Sequence, residues 1–250
     1  MSGDSTPRKM LRILDLIEAE DGPVTADSML ERLEFTRSTL YRYLKILTDS
    51  GLIAAMPESG FMLGPRIAEL DHRMRQTDTL INAARPVMAE LAQSETGVAL
   101  LCRRYRERVL CIHQERGSQA FRSHYTRGLA RPLHRGAASR IILAHLNPAG
   151  INRLHAAAPE DFAAVGLGGS AAEARARLRE IRRRGWDITH AQLTQGVIGI
   201  AAPLFDLHGG ILGSLSVTIA AAELSEADQQ RLIDRVTFCA GIIRATIGQS

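Results

Sequence analysis

Arg37, Ser38, Thr39, Tyr41, Arg42 and Lys45 gather cations and hydroxyls into little more than two helical turns. Groups of these types bond phosphate oxygens and the edges of bases. Their spacing has a backing: Leu40, Tyr43, Leu44 and Leu47 recur at i, i+3, i+4 and i+7, the signature of one buried helical face. At about 100° per residue, Ser38, Arg42 and Lys45 fall on the opposite side, with Tyr41 beside them. Arg37 sits in the first turn and Thr36 is suited to cap it. A solvated surface helix shows the same outward charge, so the nucleic-acid reading depends on the elements around this one.

Catalytic chemistry has less to stand on. The chain contains no GxSxG nucleophile elbow, no GxxxxGK phosphate loop and no HExxH metal motif. Cys102, Cys111 and His113 fall close together, but strand cysteines more often serve as small buried hydrophobes. His134 could act as a base, and no partner for it is evident. No catalytic residue, metal ligand or cofactor is therefore expected. An enzyme acting on a small organic acid stays open as an alternative, as does a DNA-binding scaffold that ignores small molecules.

The elements that must position the polar helix follow from pattern. Thr6-Pro7 reads as a helix start, followed by the stripe Met10, Ile13, Leu14 and Ile17. Gly22-Pro23 ends that helix, and Thr25 caps a second one that turns Ala26, Met29, Leu30 and Leu33 inward. Only Glu34-Phe35 separates it from the third, which makes a helix-turn-helix. Residues 52–56 and 61–63, joined through Pro57-Glu58-Ser59-Gly60, form a small hairpin, the wing of a winged helix. A three-helix protein-interaction domain is the competing reading. After Gly64-Pro65 a polar helix carries a thin stripe of Ile67, Leu70, Met74 and Ile81, suited to pack on a copy of itself or to bridge domains. Pro86 is expected to start a further helix.

Beyond Gly97 the period becomes that of strands: 98–102 and 109–113 around a charged hairpin tip, 120–125, 186–189, 197–205 and 211–219. Helices are expected over 136–146, after a capping box at Ser170 and Glu173, and after Ser225. Arg182-Arg183-Arg184 ends the second of these and complements its dipole. The layering is α+β.

Charge is distributed against the simple argument. The chain carries +4 overall, yet residues 1–78 hold 10 Lys+Arg against 13 Asp+Glu. DNA binding must then depend on local charge, and residues 36–48 contain Arg37, Arg42 and Lys45 with no acid. Three cysteines are too few for a disulfide framework, and no apolar run reaches transmembrane length. A cytoplasmic protein without membrane association is expected.

In this order and spacing, several short matches make the chain resemble the IclR-type bacterial transcriptional regulators over some 230 residues. They are the run from Ser38 to Leu44, Leu47, Gly51-Leu52, Leu63-Gly64-Pro65, Gly128, Pro132-Leu133-His134, Gly185-Trp186 through Gly196 to Ala201-Ala202-Pro203, and Ser214 to Val217. The resemblance implies a winged helix-turn-helix (1–64), a linker helix (65–82) and a GAF-like effector-binding and oligomerisation domain (83–250). It implies homodimers or homotetramers on palindromic operator DNA, repressing or activating, under control of a small organic acid, keto or aromatic. It also implies no enzymatic activity. By position it puts Arg37, Ser38, Thr39, Tyr41, Arg42, Lys45 and Ser59 at DNA. It puts Ser123, Arg131, Ala137, Ala138, Thr189, Ser216 and Thr218 around the effector, with open backbone N–H groups at the helix start holding the acid. Two departures stand out: Ser139-Arg140 replaces a frequent Gly-Lys pair, and Arg122, Arg127, Arg131 and Arg135 are more cations than one carboxylate needs.

Overall fold

The first three helices are closed by their caps and drawn together by their stripes. In the computed structural model, which describes residues 5–95, 97–117 and 127–248, α1 (Thr6–Glu18), α2 (Ala26–Leu33) and α3 (Arg37–Asp49) share one apolar cluster. Ile13, Ile17, Met29, Leu33, Leu40, Tyr43, Leu44 and Leu47 are all buried in it. Thr25 accepts from the Ser28 N–H and Thr36 from the Thr39 N–H, as the cap positions require. At α1 the cap position is Ser5, one residue before the expected Thr6, and Pro7 stands in the first turn. The α2–α3 turn is made without glycine: Glu34 itself takes φ +53°.

The wing is β1 (Ile53–Met56) paired antiparallel with β2 (Gly60–Leu63). Val24 completes it, exchanging both backbone hydrogen bonds with Phe61. Gly60 makes that approach possible, because a Cβ there would lie 2.4 Å from the Val24 carbonyl oxygen, and its φ is +112°. Next, α4 (Arg66–Thr77) buries none of its residues, and Ile67, Leu70 and Met74 stand exposed along it.

The chain divides between Thr77 and Asp78 into two units. Asp78 caps α5 (Thr79–Ser94), accepting from Leu80 and Ile81 N–H, and Arg103 grips its carboxylate at 2.6 and 3.1 Å. This corrects the helix limits expected from sequence. The helix foreseen over 65–82 stops at Thr77, Ile81 is buried in the next one, and Pro86 lies inside α5 rather than at its start. Proline removes one backbone donor, but burial of Leu80, Ile81, Ala84, Met88 and Leu91 carries the helix through.

The second unit is built on one antiparallel sheet of six strands in the order β5-β4-β3-β8-β7-β6. These are β3 (Val98–Tyr105), β4 (Arg108–Arg116), β5 (Ala130–Pro132), β6 (Asp187–His190), β7 (Val197–Phe205) and β8 (Ile211–Ala220). Alternation sorts the side chains to two faces. Ala99, Leu101, Ile200, Leu215 and Val217 pack on α5 and α10 (Glu226–Ile247). Leu100, Cys102, Cys111 and Ala201 pack on α6 (Ala137–Leu143), α7 (Pro148–Ala157), α8 (Pro159–Ala164) and α9 (Ala171–Arg184). The hairpin tip is narrower than expected, since strand pairing runs to Tyr105 and Arg108. The expected strand over 120–125 lies outside the described residues.

Among the described residues, no helix is long and apolar enough to cross a membrane and no cluster of metal-ligating side chains occurs. The capping box at Ser170 and Glu173 is present. Arg184, at the other end of α9, does more than complement the dipole: it stacks on Trp186 and reaches the fully buried Asp187 at 2.7 Å, beside Arg140 at 2.9 Å.

Burial also gives this unit a pH dependence. Desolvation holds His134 and His145 below the ordinary imidazole value of 6.5. The folded state therefore takes up these protons later than the unfolded chain does. Stability from this source is complete above pH 6.5 and is lost as pH falls below it. A melting series from pH 7.5 to 5.5 should show a falling Tm, with a shallower fall in His145→Gln; equal slopes would exclude His145 as a contributor.

Candidate DNA-reading surface and ligand cavity

The buried stripe of α3 decides which side chains can meet a duplex. With Leu40, Tyr43, Leu44 and Leu47 inward, Arg37, Ser38, Tyr41, Arg42 and Lys45 are exposed and Thr39 is half-buried. Two of the cations are tethered: Arg37 to Asp27 at 3.1 Å and Lys45 to Asp49 at 3.4 Å. Both pairs are exposed and therefore weak, on the order of 0–1 kcal/mol, so phosphate oxygens can displace the carboxylates. Arg42 differs. Among the described residues it has no carboxylate partner, and its guanidinium leans on the Tyr43 ring at 5.3 Å from the centroid. The Thr36 hydroxyl donates to Thr39 Oγ1 at 2.8 Å, which holds Thr39 against the cap. Ser59 is exposed at the wing turn, where its N–H donates to the Met56 carbonyl.

The second site is set by strand register. Thr189 on β6, Gly199 on β7 and Thr218 on β8 lie abreast, and Ala201, Ser216 and Leu100 form the next row. These residues face α6, which is fixed over them by two contacts. Ser214 Oγ donates to the Ala138 carbonyl at 2.9 Å, and the Ala137 N–H donates to Thr189 Oγ1 at 3.1 Å. Because Gly199 contributes no side chain, a cavity of about 30 Å3 remains between the sheet and α6. Ser216 Oγ lines it, buried and without a hydrogen-bond partner among the described residues. Thr218 Oγ1 makes a long 3.4 Å bond to the Val98 carbonyl.

Five of the expected effector residues, Ala137, Ala138, Thr189, Ser216 and Thr218, line this one cavity. Arg131 does not. It sits on β5 across from Val109, on the far side of the strand order from β7 and β6. Ser123 and Arg122 lie outside the described residues. Arg127 is exposed, while Arg135 donates through Nε to the Gln192 carbonyl at 2.7 Å. Arg140 turns to Asp187.

The expected open N–H groups are also partly taken. Gly136 N–H donates to Gln192 Oε1 at 3.0 Å and Ala137 N–H to Thr189. Among the described residues the Ala138 N–H keeps the expected character, since the carbonyl four residues back lies outside the helix. Sequence reasoning did not single out Gly199, Leu100, Val197 or the loop residues Gln192, Leu193 and Thr194, which also line the cavity. Gly199 carried a usable signal, since glycine inside a strand often marks a place left open for a ligand.

Comparison with known proteins follows this architecture. Residues 72–245 match the family described as bacterial transcriptional regulator IclR C-terminal, and residues 9–62 match an HTH domain. The HTH-type transcriptional regulator BhcR of Paracoccus denitrificans is 28% identical over 230 residues, 91% of this chain and 82% of that protein. KdgR of Dickeya chrysanthemi is 23% identical over 90% of this chain and 74% of its own length. Among solved structures, an IclR-type regulator from Alicyclobacillus acidocaldarius superposes with a TM-score of 0.82 at 21% identity, covering 97% of this chain and 98% of the other. An IclR homolog from Microbacterium hydrocarbonoxydans, complexed with 4-hydroxybenzoate, gives 0.79 at 19% identity, covering 98% and 100%.

Proposed function

The chain belongs to the IclR family of bacterial transcriptional regulators, and from that premise we propose that it is a cytoplasmic regulator whose grip on operator DNA is set by a small carboxylic acid. In this reading α3 enters the major groove. Arg42 and Ser38 reach base edges; Arg37, Thr39, Tyr41, Lys45 and the wing at Ser59 meet the sugar-phosphate backbone. The acid, keto or aromatic, occupies the cavity between α6 and the sheet. The observation that carries the proposal is the convergence of Ala137, Ala138, Thr189, Ser216 and Thr218 on one cavity, while the cations of α3 stand outward in the other unit. A second observation argues against turnover: among the described residues Ser216 Oγ has no hydrogen-bond partner, and so no base to activate it, as a nucleophilic serine needs.

The unit of action is a homodimer, or a tetramer made of two. A palindromic operator then presents half-sites about 34–36 Å apart, or a multiple of that. The stripe Ile67, Leu70 and Met74 on α4 supplies an apolar seam for a second copy. Placing glutamate at both Leu70 and Met74 should lower the mass seen by light scattering while leaving the far-ultraviolet circular dichroism spectrum unchanged, because neither side chain is buried within one copy. An unchanged mass would move the seam elsewhere.

A thermal-shift screen of keto and aromatic acids, paired with gel shifts on the upstream DNA, tests the whole proposal. An acid that raises Tm and changes operator affinity by about 5–150-fold is the expected result. Operator affinity unmoved by any acid that binds would leave a DNA-binding scaffold, and steady consumption of the acid would make the protein an enzyme.

A further inference from the structure

We infer that Gln192 and Leu193 act as a built-in pseudo-ligand, occupying the places of the carboxylate oxygen and the apolar body of a bound acid, which enters by expelling them. This rests on the cavity reading above and adds what guards the site and what size of acid it takes. The cavity left between α6 and the sheet, about 30 Å3, has room for roughly one or two waters. Any keto or aromatic acid needs more, so part of the wall must leave.

The geometry points to the loop 191–196. The β6, β7 and β8 walls are locked by their ladders, and α6 is seated on a buried apolar cluster. The loop lies outside the ladders, between two left-handed residues, Ala191 at φ +54° and Gly196 at φ +71°. It is latched to its surroundings by polar contacts of Gln192. Oε1 accepts from the Gly136 N–H at 3.0 Å, Nε2 donates to the Val165 carbonyl at 3.2 Å, and the backbone carbonyl accepts from Arg135. Leu193 follows as part of the cavity wall, and Gly136 leaves space for it: a Cβ there would lie 2.7 Å from Leu193 Cδ1.

The exchange is chemically matched. A carboxamide oxygen and a carboxylate oxygen accept the same N–H, and the charged acceptor is the stronger. Ser216 Oγ, buried and without a partner among the described residues, gains one when a ligand oxygen arrives. Ala191 and Gln192 also border a neighbouring cleft of about 330 Å3 that Arg135, His134 and His190 share. Withdrawing the loop joins cleft and cavity. The acid that fits is a monocarboxylate whose body ranges from the isobutyl size of Leu193 to a phenyl ring.

The test uses the full-length protein, Leu193→Ala and Gln192→Ala, with pyruvate, 4-methyl-2-oxopentanoate and benzoate as probes. Binding is followed by calorimetry and loop opening by hydrogen exchange over 190–197. Removing either half of the pseudo-ligand should tighten 4-methyl-2-oxopentanoate or benzoate about tenfold, because more of the free protein is already open. In the unsubstituted chain the same acid should speed exchange in the loop. Unchanged or weaker binding by both variants, or slower exchange on binding, would make the loop a fixed wall or a closing lid, and the cavity reading would survive. Failure of all three acids to bind any of the proteins would overturn both the pseudo-ligand and the cavity.

Discussion

Arg42→Ala should erase most operator preference while leaving binding to random duplex nearly intact. Arg42 is exposed on α3, free of carboxylate partners among the described residues, and braced by the Tyr43 ring. An arginine presented in this way has the geometry for a bidentate contact to guanine, worth about 1–3 kcal/mol of discrimination, or about 5- to 150-fold in the ratio of specific to random binding. Folding should not suffer, because Tyr43 and Leu44 behind it remain buried. The measurement is a competition gel shift with operator and scrambled DNA at two salt concentrations. Equal loss on both DNAs, with a salt slope reduced by about one, would make Arg42 a phosphate contact instead.

Filling the cavity should separate sensing from reading. In Gly199→Val the new side chain projects between Thr189 and Ala137, where even a Cβ lies at 3.4 and 3.7 Å from its neighbours, so the branches take the remaining space. Valine suits a strand, which favours folding. Operator affinity without ligand should match that of the unsubstituted protein, while the ligand-linked change of about 5–150-fold disappears. Ser216→Leu should do the same at about 1–3 kcal/mol of stability lost to overpacking. A response that persists in both variants would place the ligand elsewhere.

How much of this was readable in the chain depends on whether the determinant is local. The α3 faces were legible because four apolar residues at helical spacing leave only one side for Ser38, Arg42 and Lys45, and the structure keeps that division. The strands from Val197 to Phe205 and from Ile211 to Ala220 were legible from β-branched runs, and their alternation placed Ser216 and Thr218 together. The break at Asp78 was not. The stripe continues past it to Ile81, and what ends α4 is a cap gripped by Arg103, twenty-five positions further along. Pro86 misled for a related reason, since burial outweighs its missing donor. The loop residues Gln192 and Leu193 have no periodicity to betray them. Their role exists only because Gly136, more than fifty residues earlier, is brought beneath them. Arg131 failed as a lining residue because strand order, which no single segment encodes, carries β5 to the edge remote from β7.

The carboxylates that tether Arg37 and Lys45 have a consequence for life inside a genome. About 10^6–10^9 competing stretches of duplex surround each true target, and every unneutralised cation spends time on them. Here two of the three cations on α3 already have an anion in hand, so a phosphate contact at either one must first displace a carboxylate, which trims its gain by up to about 1 kcal/mol.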